Sequence, residues 1–405
     1  MATPKLRFKE FDGDWSTNKI EEISIVTSGG TPSRNVSDYW NGDIPWVTTS
    51  LVDFNVINEA EEFITQVGLD NSSAKLFPKD TILMAMYGQG ITRGKVAILG
   101  IDATTNQACA AIKLKNGFET KFIFQNLMNR YEEIRDLSNE GGQKNLSAGI
   151  IKEILISFPE KEEQTKIASF LSNVDEKISQ LTQKHELLNQ YKQGMMQKLF
   201  SQQIRFKADD GSEFGEWEEK NILKIADVSI GLVTTMTTNY REKGTPLIRN
   251  SDIKPNNILK NKLIFLDSDF ADSYENRKLK VNDIVTVHTG DVGVSSLIPE
   301  ELNGAIGFAT INTRVIDENV SPCYLVWYFN SKKFINWCVN YSTGDGRQNL
   351  NLKDFNTAVI PLPSLEEQTK IANLLSAIDQ KVEVVAQQIE QAKQWKKGLL
   401  QQMFV

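Results

Sequence analysis

The chain has 405 residues and a formal net charge of −7, with 40% hydrophobic and 24% charged residues. That balance belongs to an ordinary folded protein, and the length allows about two to four domains. No apolar run approaches the ~18 residues of a membrane span, and the opening MATPKLRFKEF has charges where a secretion signal needs an apolar stretch, so a cytoplasmic protein is expected. Cys109, Cys323 and Cys338 have no CxxC spacing and are expected as buried thiols. With His185 and His288 as the two histidines, a Ser/His/Asp or multi-histidine metal site has few ways to form. The acidic balance also opposes a nucleic-acid partner, because phosphates reward clustered Lys and Arg.

In chain order, residues 1–158 read as a mixed α/β block. Ile82 to Met86, Val96 to Leu99, Ala110 to Leu114 and Ile154 to Phe158 have strand character, and Phe122 to Leu137 has helical character. Residues 159–204 then form one long helix that opens on Pro159 and acidic residues, which suits a helix start and its dipole. Its apolar seam, Ile167, Leu171, Val174, Ile178, Leu181 and Leu188, keeps the 4-3 spacing of a coiled coil. A second α/β block covers 205–362, with strands at Ile284 to Val287 and Thr313 to Ile316 and a helix at Tyr324 to Val339. A second long helix, 363–405, carries the seam Ile371, Leu375, Ile378, Val382, Val385 and Ile389. Gly194 and Gly398 weaken the two helices near their ends.

The chain repeats itself. Residues 159–200 align without a gap to 363–404, with 19 of 42 positions identical and EEQTKIA shared outright. The blocks repeat more faintly: Trp15 and Ile20 match Trp217 and Ile222, Pro45 to Val47 match Pro246 to Ile248, and Lys75, Leu76 and Asp80 match Lys278, Leu279 and Asp283. GGQKNLS at 141–147 matches DGRQNLN at 345–351. The expected fold is therefore α+β, with two α/β domains separated by two long helices that pair as an antiparallel coiled coil in a pseudo-twofold repeat. Two unrelated amphipathic helices, each packing on its own block, are the competing reading. At 1.5 Å per residue, about 40 residues make a rod of roughly 60 Å. His185 faces Ile389 in the repeat register as a tolerated seam residue. Lys192 and Lys396 share a seam position, where they either fix register or meet an acidic partner, or else snorkel to water.

Catalytic motifs are missing. GQGITRGKV at 88–96 has the wrong glycine spacing for a phosphate-binding loop, and GxGxxG after a strand, HExxH, GxSxG and Asn-Pro-Pro-aromatic do not occur. What each block offers is Gly-rich loops bearing Arg, Lys, Gln, Asn and Thr, whose geometry matches phosphates and base edges. In the first block these are TSGGTPSRN at 27–35, YGQGITRGK at 87–95 and GGQKN at 141–145, giving Thr31, Ser33, Arg34, Gln89, Thr92, Arg93, Lys95, Gln143 and Lys144 as candidate DNA contacts. In the second they are GLVTTMTTNYR at 231–241, RNSD at 249–252, HTGDVGVS at 288–295 and GDGRQN at 344–349, giving Thr234, Thr235, Thr237, Arg241, Arg249, Asn250, Arg347 and Gln348. Each loop alone also reads as an ordinary surface turn. The loops differ between halves while the helices stay alike, as in two readers of different sequences.

The layout resembles the specificity (S) subunit of Type I restriction-modification enzymes over the whole chain. The resemblance is carried by P-x-x-E-E-Q-T-K-I-A at 159–168 and 363–372, FKEFDGDW and its echo FGEWEEKNI, GGTPSR, and the pre-helix ILISFP and VIPLP. It implies a non-catalytic subunit that binds a bipartite site in double-stranded DNA, each domain reading one half and the helices setting the spacer. It also implies two modification subunits that use S-adenosylmethionine to methylate adenine, and restriction subunits that use ATP and magnesium to translocate and cleave. The recognition domains would resemble the DNA-reading domain of adenine methyltransferases, which works around a flipped base. Two other readings stay open: a protein-only coiled-coil adaptor with two peptide-binding domains, and an independent nuclease or methyltransferase.

Overall fold

The computed structural model describes residues 3–88, 91–137, 145–344 and 348–405. The chain divides into two compact units, Met1–Thr182 with Gln387–Val405, and Gln183–Ala386. Both dividing points fall inside long helices, Lys161–Phe200 and Leu365–Met403, so each unit holds part of each helix. Among the described residues no helix is long and apolar enough to cross a membrane.

The first unit is built on a five-stranded sheet in the order Ser24–Ser28, Cys109–Leu114, Ile82–Ala85, Val96–Leu99, Val56–Ile57. Ile82–Ala85 and Val96–Leu99 are buried along their whole length, and so read as continuous apolar runs rather than alternating ones. A second sheet orders Glu62–Ile64, Trp40–Val47 and Thr104–Thr105. The second unit repeats the plan. Ala226–Ile230, Ile311–Val315, Ile284–Thr286 and Ser295–Leu297 form one sheet; Tyr240–Arg241, Ile264–Leu266, Thr245–Arg249 and Ile306–Phe308 form the other. In both units a two-stranded ribbon, Ser16–Lys19 with Leu155–Phe158 or Glu218–Asn221 with Val359–Leu362, leads into a long helix.

Several expectations need correction. The helix expected over Phe122 to Leu137 is two helices, Thr120–Asn129 and Tyr131–Asp136, and the one over Tyr324 to Val339 is Pro322–Phe329 and Lys332–Tyr341. In the second case Ser331 takes an extended backbone and its hydroxyl accepts from Phe334 N, starting a new helix. The repeat register around Leu76 and Asp80 is off by one. Phe77 N and Leu279 N donate to the equivalent carbonyls of Ala103 and Ala305, so Leu279 corresponds to Phe77, and Leu76 is exposed. Likewise the left-handed residues Asp80 and Asn282 occupy the same turn, where Asp80 N donates to Leu99 O at 2.8 Å and Asn282 N to Ile298 O at 3.0 Å. Cys109 and Cys338 are buried, but Cys323, in the first turn of its helix, is exposed. Both long helices run on through Gly194 and Gly398.

The shared motif is the joint between each globular part and its helix. Glu163 and Glu367 are buried in the first helical turn, 1% and 0% exposed, and each takes a bidentate guanidinium. Arg7 meets Glu163 at 2.8 and 2.7 Å, and Arg205 meets Glu367 at 3.1 and 2.7 Å. The same guanidinium reaches a carbonyl, Gly13 O at 2.6 Å or Gly215 O at 2.7 Å. The hydrogen bond to the carboxylate raises each arginine above its ordinary pKa. Next in sequence, the buried Gln164 and Gln368 each donate to a Pro carbonyl five residues back, both at 2.8 Å. Their oxygens accept Glu119 N at 3.0 Å and Ser321 N at 2.8 Å. Lys166 pairs with Glu10 and Lys370 with Asp209, while Ile167, Ala168, Ile371 and Ala372 enter the cores.

Along the helices, Ile167, Leu171, Val174, Leu181, Ile371, Leu375, Ile378, Val382 and Val385 are buried, and Ile178, Leu188 and Ile389 are partly so. In the first unit Lys396 binds Asp175 at 2.6 Å; in the second Lys192 binds Asp379 at 2.7 Å. These are the same pair under the repeat, so both lysines meet an acidic partner rather than snorkelling. His185 is partly buried and contacts the Asn189 amide on its own helix. Because a buried carboxylate stripped of its cation is strongly unfavourable, Arg205→Met is expected to lower urea-unfolding stability by about 3 kcal/mol. Arg205→Met with Glu367→Gln should recover part of that loss, and a double variant no more stable than the single one would exclude uncompensated charge as the cause.

Candidate nucleic-acid interface

The candidate loops converge at one turn in each unit. In the first, Gly29 N donates to Cys109 O at 3.3 Å, Thr31 donates its hydroxyl to the Gln107 side chain, and Met86 N donates to Ala108 O at 2.8 Å. The turn Asn106–Ala108 thus holds the 27–35 loop on one side and the start of the 87–95 loop on the other. Leu146 N then donates to Met86 O at 2.9 Å, bringing in the chain just after the 141–145 segment. In the second unit the turn Phe308–Thr310 does the same. Gly231 N donates to Thr310 O, Ala309 N to Leu232 O, and the Asn250 amide to Ala309 O at 3.2 Å. Leu350 N donates to His288 O at 2.9 Å, matching the Leu146 bond.

The cations of these loops are largely paired already. Arg34 makes two 2.7 Å hydrogen bonds to Glu62 while its guanidinium lies 3.7 Å from the centre of the Trp40 ring and 4.9 Å from that of Trp46. Both indoles are anchored, Trp40 Nε1 to Ser33 O at 3.1 Å and Trp46 Nε1 to Gly30 O at 3.0 Å. The mutual hydrogen bonds raise the Arg34 pKa and lower that of Glu62. Lys95 binds Asp53 at 2.6 Å, and Arg93 Nε donates to Arg135 O at 3.2 Å. In the second unit Arg249 is held by Asp252 at 2.9 and 2.8 Å, which raises its pKa, and Arg241 lies 3.1 Å from Asp267.

Thr92 is half-buried, with its carbonyl accepting Lys95 N. Ser33, Thr234, Thr235 and Thr237 are exposed. Gln348 is exposed, its side chain accepting from the Ser342 hydroxyl and its carbonyl accepting Gly290 N at 3.0 Å. Both ends of the Asn250 amide are used, since its Oδ1 accepts His288 N at 2.8 Å while its Nδ2 reaches Ala309 O. Gln89, Gln143, Lys144 and Arg347 lie outside the described residues.

The two units thus share a related sheet plan and an equivalent turn at which polar loops gather. The profile of the Type I restriction modification DNA specificity domain matches residues 12–190 and again 215–394. The chain belongs to this family. It is 25% identical to the Type I restriction enzyme MjaIX specificity subunit of Methanocaldococcus jannaschii, over 97% of this chain and 94% of that one. To the EcoR124I/EcoR124II specificity subunit of Escherichia coli it is 29% identical over 44% of this chain and 45% of the other. The fold matches the crystal structure of the Type I restriction-modification S subunit from M. genitalium with a TM-score of 0.62 at 17% identity, covering 100% of this chain and 99% of that one.

Within this specificity-domain pair, sequence reading passed over the turns that organise the loops. Asn106–Ala108 and Phe308–Thr310 contain no Gly, Arg or Lys, and although Asn106, Gln107 and Thr310 are of contact type, no Gly-rich run draws attention to them; Ala309 has a left-handed backbone at φ 50°. Glu62, Asp252, Asp267 and Asp53 were equally invisible, since scattered acidic residues are usually solvated. Exposed ion pairs and exposed cation–π contacts each contribute little, so Arg34→Ala is expected to cost about 1 kcal/mol in urea unfolding while changing the tryptophan emission. An unaltered emission spectrum would count against stacking on Trp40 and Trp46.

Proposed function

We propose that this chain is the DNA-specificity subunit of a Type I restriction-modification complex, non-catalytic in itself, with one unit reading each half of a bipartite site. The observation that carries this reading is the double match to the specificity domain, together with two like-folded units whose differing polar loops are fastened at an equivalent turn. The recognition domains would be 1–158 and 205–362, with 159–204 and 363–405 as the helices between them. Those helices would pair antiparallel as a coiled coil that sets the spacer and docks two modification subunits. The repeat-related Lys396–Asp175 and Lys192–Asp379 pairs support this, because one antiparallel register brings both together. S-adenosylmethionine, ATP and magnesium belong on modification and restriction subunits, and the complex would work in the cytoplasm.

The Gly-rich loops would supply base and phosphate contacts, with the modification subunits supplying much of the attraction for the phosphate backbone. Net charge supports that division. Residues 1–158 and 206–360 carry −4 each, the first helix segment +1 and the last 0. The isolated chain should therefore bind DNA weakly, and nanomolar sequence-specific binding by it alone at physiological salt would refute the division.

Mapping methylated motifs in cells that carry this chain and its modification subunit is the direct test. Inserting one helical turn, about 5.4 Å, in the paired rods should lengthen the spacer by roughly two base pairs of 3.4 Å. Exchanging 205–362 for the matching segment of another member should alter one half-site and leave the other. An unaltered spacer would reject the ruler, and a change in both half-sites would reject the assignment of one domain to each.

A further inference from the structure

His288 has a more defined arrangement than the loop around it requires. Strand Ile284–Thr286 ends just before it, and Gly290 turns the chain through φ 100° in open space. Three hydrogen bonds fix the residue: His288 N to Asn250 Oδ1 at 2.8 Å, Leu350 N to His288 O at 2.9 Å, and the ring Nδ1 with Thr289 Oγ1 at 2.8 Å. The direction of the third follows from proton counting. Thr289 has one hydroxyl proton and gives it to Asn349 Oδ1 at 3.1 Å, so toward the imidazole it can only accept. With the Asn349 amide in this orientation, Nδ1 carries the ring proton. Burial lowers the His288 pKa, which favours the neutral ring. A neutral imidazole protonated on Nδ1 presents a lone pair on Nε2, and among the described residues Nε2 has no partner.

We propose that His288 Nε2 is a base-reading acceptor of the second recognition domain, taking a hydrogen bond from the exocyclic amino group of an adenine or a cytosine. The proposal rests on the reading of the chain as a DNA-specificity subunit. Asn250 and Thr289 are positioning residues: the first holds the backbone of His288 and the second sets its tautomer. In the major groove the donors are adenine N6 and cytosine N4, whereas guanine and thymine offer acceptors opposite which a bare lone pair is repelled. A residue fixed at its backbone N and O and tied at ring Nδ1 also loses little rotamer freedom on binding. At the equivalent place in the first unit stands Met86, whose carbonyl accepts Leu146 N at 2.9 Å, as His288 O accepts Leu350 N. Met86 is 3% exposed and faces the core, whereas His288 is only partly buried. One position thus carries packing in one unit and an acceptor in the other.

The test uses the full chain assembled with its modification subunit and compares methylated motifs for the natural protein, His288→Ala and Thr289→Val. His288→Ala should relax one position, an adenine or cytosine in the half-site read by 205–362, and leave the other half-site and the spacer intact. Thr289→Val, which removes the acceptor for Nδ1–H, should weaken preference at that same position. In competition binding, purine in place of adenine, or pyrimidin-2-one in place of cytosine, deletes the amino group alone. That deletion should cost the natural complex about tenfold to a hundredfold in affinity and the His288→Ala complex nothing. A motif unchanged by His288→Ala, or an equal loss in both complexes on amino deletion, overturns the proposal. If His288→Ala does not assemble, His288→Phe fills the space without an acceptor and faces the same two outcomes. A natural complex that methylates no bipartite motif removes the specificity-subunit reading itself, and the proposal with it.

Discussion

A single buried carboxylate fastens each globular part of the chain to a long helix. Glu163 and Glu367 sit in the first turn of their helices, where the free N–H groups and the dipole favour negative charge, and there each is clasped by an arginine from the segment that precedes the first ribbon strand. Because the arginine also holds a carbonyl several residues further on, the hairpin of chain before the first ribbon strand is fixed in the same step. The adjacent glutamine closes the other side, tying the helix start to the end of the ribbon and to the loop before the next helix. Remove the ion pair and the ribbon, the sheet edge it leads from and the helix lose their common anchor. One joint differs from its copy. Trp217 Nε1 also donates to Glu367 at 3.2 Å, whereas Trp15 Nε1 is buried without a partner among the described residues.

The acidic composition acquires a location through the structure. Glu62, Asp252, Asp267 and Asp53 stand beside the arginines and lysine that would otherwise make the loop edges basic. A guanidinium that is already bidentate to a carboxylate has its fork geometry satisfied, and it presents to an approaching duplex a neutral, flat surface rather than a charge. Arg34 between Glu62 and two indoles is the clearest instance. Such an edge favours discrimination by shape and by individual hydrogen bonds over general affinity for phosphate.

The helices and their motif were legible in the sequence because their signals are local and periodic: a fixed apolar spacing, a Pro at the start, and an identical heptapeptide in two places. The buried strands Ile82–Ala85 and Val96–Leu99 were legible for the same reason. The breaks at Arg130 and at Asn330–Ser331 were not. An uninterrupted apolar pattern crosses them, and what stops the helix is the backbone at Arg130 and the capping geometry of Ser331. Asn250 shows the limit for sites. Its residue type pointed to a base-edge contact, yet the fold uses one end of its amide to hold His288 and the other to hold the turn at Ala309.

The loops of both units are joined to their organising turns mainly through main-chain atoms: Gly29 N to Cys109 O, Met86 N to Ala108 O, Gly231 N to Thr310 O, Ala309 N to Leu232 O, and the paired Leu146 and Leu350 bonds. Bonds of that kind are indifferent to which side chain each residue bears. Mutation can therefore rewrite the exposed letters of a loop such as Val233 to Thr235 without unfastening it, while any change at Arg7, Glu163, Arg205 or Glu367 is felt by the whole unit. The atoms that fasten these loops are thus largely distinct from the exposed side chains that the loops carry, and a substitution among the latter leaves the attachment in place.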